Sequence, residues 1–347
     1  MNLMRPRIAV VYHWLPHYRE SVFREMDKEH NVVFLADVKT TYANLKLADT
    51  NGLSVVQLQN LWIGPFLWQR GLLGFLRREE IDRIVFLADW KFLSTWTALL
   101  LFRRRVTIGW THGLSKHEST LKRKLKLLFY KRFSHIWTYS EDAATHLQSL
   151  GLDALAVYNS NGVATRLNPS QEGNKDLLFV GRVLEERKLA EAISFLFIQN
   201  TFPHRLHIVG NGPDIPQLKR LVADHAVHDR VVFHDAIYNE TELATIAKSC
   251  SLFLHPTDIG LSALTALKLG LKVFTHSNEH LHKPEFEALQ QCDGVFDFYF
   301  GPEMDYGDFL HALEHMTPLN EVVVDNVLAK WSPMNQLDQM RQHLSQP

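Results

Sequence analysis

The chain has 347 residues, of which 46% are hydrophobic and 22% charged, with a net charge of -1. That is enough for about two domains with large cores, and it excludes a global field that would draw the whole surface to nucleic acid. Only two cysteines occur, Cys250 and Cys292, which excludes a disulfide framework and fits a reducing cytoplasm.

The opening MNLMRPRIAVVYHWLP has early basic residues and a short apolar run broken by His13 and Pro16. No small-residue cleavage site follows, so residues 7–12 read as a first strand and not as a signal peptide. The next segment, HWLPHYRESVFREM (13–26), has a loop with Pro16 and a helix start near Tyr18 and Arg19. Arg19 either reaches an anionic acceptor or lies on a helix surface. Strand-like runs follow at 31–36, 84–88, 106–110, 135–139 and 154–158, with amphipathic helical patterns between most of them. The longest apolar stretch, FLADWKFLSTWTALLLF (86–102), is interrupted by Asp89 and Lys91 and falls short of the ~18 residues that span a bilayer.

KHESTLKRKLKLLFYKRF (116–133) has seven Lys or Arg and one Glu. Helical spacing puts Leu121, Leu125, Leu128 and Phe129 on one face, with Lys122, Arg123, Lys124 and Lys126 around them. Such a helix either lies on anionic lipid or packs its apolar face on the core while the cations are solvated. Arg103, Arg104 and Arg105 add to the patch, and no nucleic-acid motif accompanies it.

GVATRLNPSQEGNKD (162–176) is polar and aperiodic and reads as a linker. Beyond it, apolar runs recur at 177–181, 205–210, 230–233, 251–255 and 271–276. Near-continuous apolar strands between helices predict parallel sheets covered on both faces. The expectation is an α/β protein of two doubly wound domains, 1–160 and 161–330, with ligands at the carboxyl ends of the strands and in a cleft between the domains. The last segment, WSPMNQLDQMRQHL, spaces Met334, Leu337 and Met340 as a helix does; residues 331–347 are free to dock on either domain or cross back to the first.

The second half carries the chemistry. LLFVGRVLEERKLAEAI (177–193) is a strand, a turn at Gly181, then a helix. Arg182 and Lys188 flank the turn, where backbone N–H groups and a helix dipole favour anions; two cations there suit a diphosphate. Alternatively they are surface cations paired with Glu185 and Glu186. IVGNGP (208–213) adds a glycine turn, and NETELATIAKSC (239–250) a capped, core-facing helix. HPTDIGLSALTALKLG (255–270) is a strand end, a turn, and a helix ending at a glycine C-cap. The amides of Gly260, Leu261 and Ser262 would point out of that helix start as a second anion cradle. Nineteen histidines are present, and His276, His280 and His282 invite a metal reading, but no Cys or carboxylate completes a usual set.

In order, FVGR…K, IVGNGP, VVFHDAI and HPTDIGLSALTALKLGLKVFTHSN resemble the carboxyl domain of glycosyltransferase family 4. These are retaining, nucleotide-sugar-dependent enzymes of the GT-B fold, two Rossmann-like domains facing a central cleft. The first half is similar in pattern through IAVVYHWLPHYRESVF, VTIGWTHG and IWTYSEDAATHLQSLGL…VYNSNG. The resemblance implies a hexosyltransferase whose donor diphosphate is held by Arg182, Lys188 and the amides of Gly260–Ser262, with His112 facing the donor sugar; read on its own, His112 is equally a polar strand-end residue. It implies no obligatory metal or cofactor. It implies a nucleotide-diphosphate sugar and a glycan or lipid-linked acceptor as partners, no nucleic acid, and a role in surface polysaccharide or lipopolysaccharide synthesis. The expected location is cytoplasmic and peripheral on the inner face of the cell membrane.

One departure matters. The family places a glutamate before the glycine turn, on the transferred sugar, and another eight residues later, on the ribose. Those positions are Thr257 and Thr265 here. Asp258 is one place off and stands in for the first acid; in HKPEFEAL (282–289), Glu285 and Glu287 are further candidates. The alternatives are a sugar-nucleotide epimerase of the same architecture and a catalytically silent glycan-binding or partner protein.

Overall fold

The computed structural model describes residues 6–40, 46–114, 118–160, 166–167, 175–297 and 305–345. Most of the 162–176 linker, and the start of the basic segment at 116–117, lie outside the described residues. The chain falls into two compact units, one containing the described residues up to 160 and those from Lys330 onward, the other those from 166 to Ala329.

The first unit is built on β1 (Arg7–Val11), β2 (Asn31–Ala36), β3 (Val55–Gln57), β6 (Arg83–Leu87), β7 (Val106–Trp110), β8 (His135–Thr138) and β9 (Ala154–Ala156). They form one parallel sheet in the order β3-β2-β1-β6-β7-β8-β9. Alternate residues of β1 serve two cores. Ile8 and Val10 pack with Phe34, Trp110 and Trp137; Ala9 and Val11 pack with Phe86 and Leu76 on the other face. Burial on both faces is why these strands read as unbroken apolar runs. Between β3 and β6 the chain makes an antiparallel hairpin, β4 (Gln59–Ile63) and β5 (Phe66–Arg70). Periodicity did not predict it, because it buries Gln69 and exposes Trp62 and Ile63. Gln69 donates to the Tyr12 carbonyl at 2.9 Å, and Asn60 to the His13 carbonyl at 2.6 Å.

The second unit carries β10 (Asp176–Val180), β11 (Leu206–Val209), β12 (Val231–His234), β13 (Cys250–Leu254), β14 (Lys272–Thr275) and β15 (Val295–Asp297). The order is β12-β11-β10-β13-β14-β15, again parallel. Each strand order reverses direction once, between β1 and β6 and between β10 and β13. Those switch points are where doubly wound sheets open a crevice at their carboxyl ends.

The final helix, Pro333–Leu344, belongs to the first unit. Leu337, Met340 and Leu344 are buried in the core that holds Phe23 and Met26. Met334, which the spacing put in the apolar stripe, is 49% exposed; Leu344 completes the stripe instead. Arg341 pairs with Glu29 at 2.8 Å, Arg83 donates to the His343 carbonyl at 3.0 Å, and Trp137 donates its indole N–H to His343 Nδ1 at 3.0 Å.

Candidate functional site

In the second unit the loops that leave β10, β11, β13 and β14 meet at the carboxyl edge of the sheet. The two glycine turns are fitted backbone to backbone. The Gly181 N–H donates to the Val209 carbonyl and the Val183 N–H to the Asn211 carbonyl, both at 3.0 Å. A Cβ on Gly210 would stand 1.9 Å from the Gly181 carbonyl oxygen, and one on Gly212 1.9 Å from that of Val183. The glycines of GNGP therefore admit the neighbouring turn.

That turn presents two cations. Arg182 and Lys188 are exposed, and among the described residues neither forms an ion pair. Glu185 and Glu186 do not take them up. Lys188 sits in the left-handed region, with φ 53°, a conformation that costs a non-glycine residue about 1 kcal/mol. Lys188→Gly relieves that strain but loosens the unfolded chain by a similar amount. Its stability by chemical denaturation is therefore expected to move by less than ~1 kcal/mol, while anion affinity falls as far as in Lys188→Ala.

The neighbouring Arg187 locks the two loops together. It donates to the Asp258 carbonyl at 2.7 Å and to its carboxylate at 2.6 Å. Lys283 approaches the other carboxylate oxygen at 3.1 Å. Asp258 is thus held as a bracket between two cations. Beyond it, the Gly260 and Leu261 amides have no hydrogen-bond partner among the described residues. Ser262 opens the helix Ser262–Lys268 and donates its hydroxyl to the Val180 carbonyl at 3.1 Å. Thr265, half-buried, lies within that helix.

A third loop closes over this turn. His282 Nδ1 accepts the Ile259 N–H at 3.1 Å, and its Nε2 donates to the His276 carbonyl at 2.8 Å. The ring stacks between His276, at 4.2 Å, and Phe286, at 3.9 Å. Of the two acids offered by this segment, Glu285 is the buried one, and its Oε2 lies 3.6 Å from where a Cβ on Gly260 would be. Glu287 accepts from Gln291 at 2.8 Å. Arg187 drew no notice in the sequence, since no local pattern links it to a turn distant along the chain.

Burial pushes His282 down to about 4 and His255, beneath the turn, to about 3. In the first unit burial likewise takes His13 and His343 to about 4. All four values lie below the ordinary 6.5, so the fold favours the neutral rings. Their stabilisation is fully present above pH 6.5 and is lost as pH falls from there through 4. Urea midpoints are expected to drop steadily from pH 7 to pH 4.5, and a flat profile would contradict the neutral assignments.

The first unit holds the other predicted residues. His112 is exposed at the carboxyl end of β7, its ring 4.4 Å from that of Tyr139. Arg19 is only 3% exposed; its guanidinium lies 4.4 Å from the Trp110 ring and 4.7 Å from that of Tyr139. It is neither on a helix surface nor extended outward, because the short 3-10 turn His17–Arg19 points it into this aromatic cage. The basic segment forms the helix Thr120–Tyr130, capped by Ser119. Its apolar residues do not share one face as expected: Phe129 and Tyr130 enter the core, whereas Leu121, Leu125 and Leu128 are 70%, 38% and 48% exposed. Lys126 pairs with Glu118, Arg123 contacts His146 at 2.8 Å, and Lys122 and Lys124 are exposed.

Both ring nitrogens of His282 are occupied by hydrogen bonds, which removes it from a metal set. Elsewhere His135, Asp153 and His343 bring ligand atoms within 4.8 Å of one another. The indole N–H on His343 Nδ1 leaves that ring's proton on Nε2, so neither nitrogen offers a free lone pair.

Residues 174–288 match the family model described as "Glycosyl transferases group 1". Among solved structures, Anabaena Alr3699/HepE in complex with UDP-glucose is similar with a TM-score of 0.71 at 14% identity, covering 98% of this chain and 99% of that one. The apo form of the lipopolysaccharide outer core galactosyltransferase WaaB gives 0.65 at 13%, covering 97% and 99%. WaaG, a glycosyltransferase involved in lipopolysaccharide biosynthesis, gives 0.61 at 12%, covering 96% and 98%. No curated protein matches. The chain thus has the two Rossmann-like halves of the GT-B glycosyltransferases, and its second unit carries a glycosyltransferase group 1 domain.

Proposed function

We propose that this enzyme moves a hexosyl group from a nucleoside-diphosphate sugar to a glycan or lipid-linked acceptor, with retention, in surface polysaccharide or lipopolysaccharide synthesis. One observation carries the donor half. At the β10/β13 switch point, two exposed cations, Arg182 and Lys188, and two amides, Gly260 and Leu261, all without partners among the described residues, belong to loops that Arg187 and Asp258 pin together. A leaving diphosphate gains charge as the glycosidic bond breaks. Fixed donors around it stabilise that charge without reorganising at the moment of reaction. Asp258, already tied to Arg187 and Lys283, serves the loops and not as a nucleophile. The similarity to a UDP-glucose-bound structure favours a uridine donor, and retention rests on the family resemblance.

The acceptor half belongs to the first unit, where His112 is exposed at the carboxyl end of β7 and Arg19 is shut into its aromatic cage. The leucines exposed on the helix Thr120–Tyr130, with Lys122 and Lys124 beside them, favour docking on an anionic membrane surface. Among the described residues no helix is long and apolar enough to cross a membrane. Each cation near an anionic surface contributes ~1 kcal/mol. The double variant Lys122→Glu/Lys124→Glu is therefore expected to sediment with phosphatidylglycerol vesicles at least ~30-fold more weakly.

Thr257 and Thr265, in place of acids, favour the silent relative as the second reading. Incubating the protein with UDP- and GDP-hexoses, with and without a lipid-linked oligosaccharide, separates the cases. Nucleotide release that requires the acceptor supports transfer. Conversion of the sugar nucleotide alone supports an epimerase, and binding without turnover supports the silent reading.

A further inference from the structure

At the amino-terminal edge of the first unit's sheet, the turns that enter β7 and β8 enclose a cavity of about 240 Å³. Three cations line it: Arg103 from the turn before β7, and Lys131 and Arg132 from the turn before β8. All three are exposed. Among the described residues none of these side chains forms a hydrogen bond or an ion pair, and no carboxylate lines the cavity. Like charges held together without a counter-charge repel, and an anion placed among them relieves that repulsion. The two turns are tied to each other. The Ser134 N–H donates to the Thr107 carbonyl at 2.8 Å, and the Thr107 N–H donates to the Ser134 hydroxyl oxygen at 3.1 Å. The Ser134 hydroxyl also lines the cavity, and its own proton has no acceptor among the described residues. Around this polar hollow, apolar side chains come out to solvent. Leu100 and Leu101, which end the helix Leu93–Leu101, are half-exposed, as is Leu128, one turn before Lys131.

We propose that this cavity is a site for the phosphomonoester headgroup of a membrane lipid. It rests on the membrane-docking reading above and adds to it a preference for one headgroup chemistry. The cavity lies at the opposite end of the strands from the carboxyl edge, where doubly wound sheets bind their ligands, so it is separate from the acceptor position. Its volume falls below the roughly 300–1,000 Å³ of sites for drug-sized ligands and suits a single headgroup anion. Every side chain offered to that anion is a donor: two guanidinium forks, an ammonium and a hydroxyl. A phosphomonoester presents three acceptor oxygens and close to two negative charges, whereas a phosphodiester carries one charge and has its ester oxygens blocked. Three cations and a hydroxyl are therefore matched better by the monoester. The half-exposed leucines beside the cations make the occupant a lipid and not a soluble phosphate, because apolar surface rimmed by cations gains from both acyl chains and headgroups.

The test is sedimentation of the full chain with phosphatidylcholine vesicles that contain either phosphatidic acid or phosphatidylglycerol, matched in surface charge. The wild type is expected to bind the phosphatidic acid vesicles about tenfold more tightly, the scale of one added hydrogen bond to a charged group. Arg103→Gln/Arg132→Gln, which changes only exposed side chains, should bring the two affinities within about twofold of each other. Arg104→Gln removes an exposed cation that does not line the cavity; it should weaken both vesicles alike and keep the preference. Equal wild-type affinity for the two vesicles, or a preference that survives in the double variant, would overturn this inference and leave general docking standing. Sedimentation with neither vesicle would overturn both. Calorimetric binding of inorganic phosphate that the double variant loses, with no vesicle preference, would make the occupant a soluble phosphate and overturn the lipid assignment.

Discussion

Gly210→Ala and Gly212→Ala are each expected to lower the stability of the second unit by about 3 kcal/mol, read as a fall of roughly 6–12 °C in its melting temperature. The new methyl would stand 1.9 Å from a backbone carbonyl in both cases, Gly181 in one and Val183 in the other. No flexible side chain lies there to swing away. The only relief is to part the two turns, which breaks the hydrogen bonds that the Gly181 and Val183 N–H groups donate to the Val209 and Asn211 carbonyls. That displaces Arg182, so nucleotide affinity should fall further than stability alone explains. Gly74 is a useful control, since nothing crowds a Cβ there and its backbone is not left-handed.

Arg182→Ala and Lys188→Ala are each expected to lower kcat/KM by about 10²–10³-fold, the range for losing one fixed donor to a developing anion. Their melting temperatures should hardly change, because both side chains are exposed and form no ion pair among the described residues. Arg187→Ala should behave differently. It removes the bridge to Asp258, so stability and turnover should fall together. That contrast separates the cation offered to the ligand from the cation that holds the loops.

Much of this architecture is legible in the sequence. Each apolar run read as a strand overlaps one, because strands buried on both faces need no polar alternation. The short strands β3 and β15 and the β4–β5 hairpin escape. Three-residue edges leave too little signal, and the hairpin inverts the usual rule by turning Trp62 and Ile63 outward. The helix Thr120–Tyr130 is legible as a helix, but its split between buried Phe129 and exposed Leu125 depends on what packs against it. At the site, the glycine turns announce themselves through residues that only tight backbone contact requires. The Arg187–Asp258 bridge spans 71 residues, and no local spacing encodes it.

The β10/β13 edge is the proposed diphosphate site. Calorimetric titration of UDP and of GDP into the wild type and into Arg182→Ala/Lys188→Ala tests it most directly. Micromolar binding of one nucleotide is expected for the wild type, with at least a hundredfold loss in the double variant, its fold intact. Equal affinity in both proteins, or no binding of either nucleotide by the wild type, would contradict it.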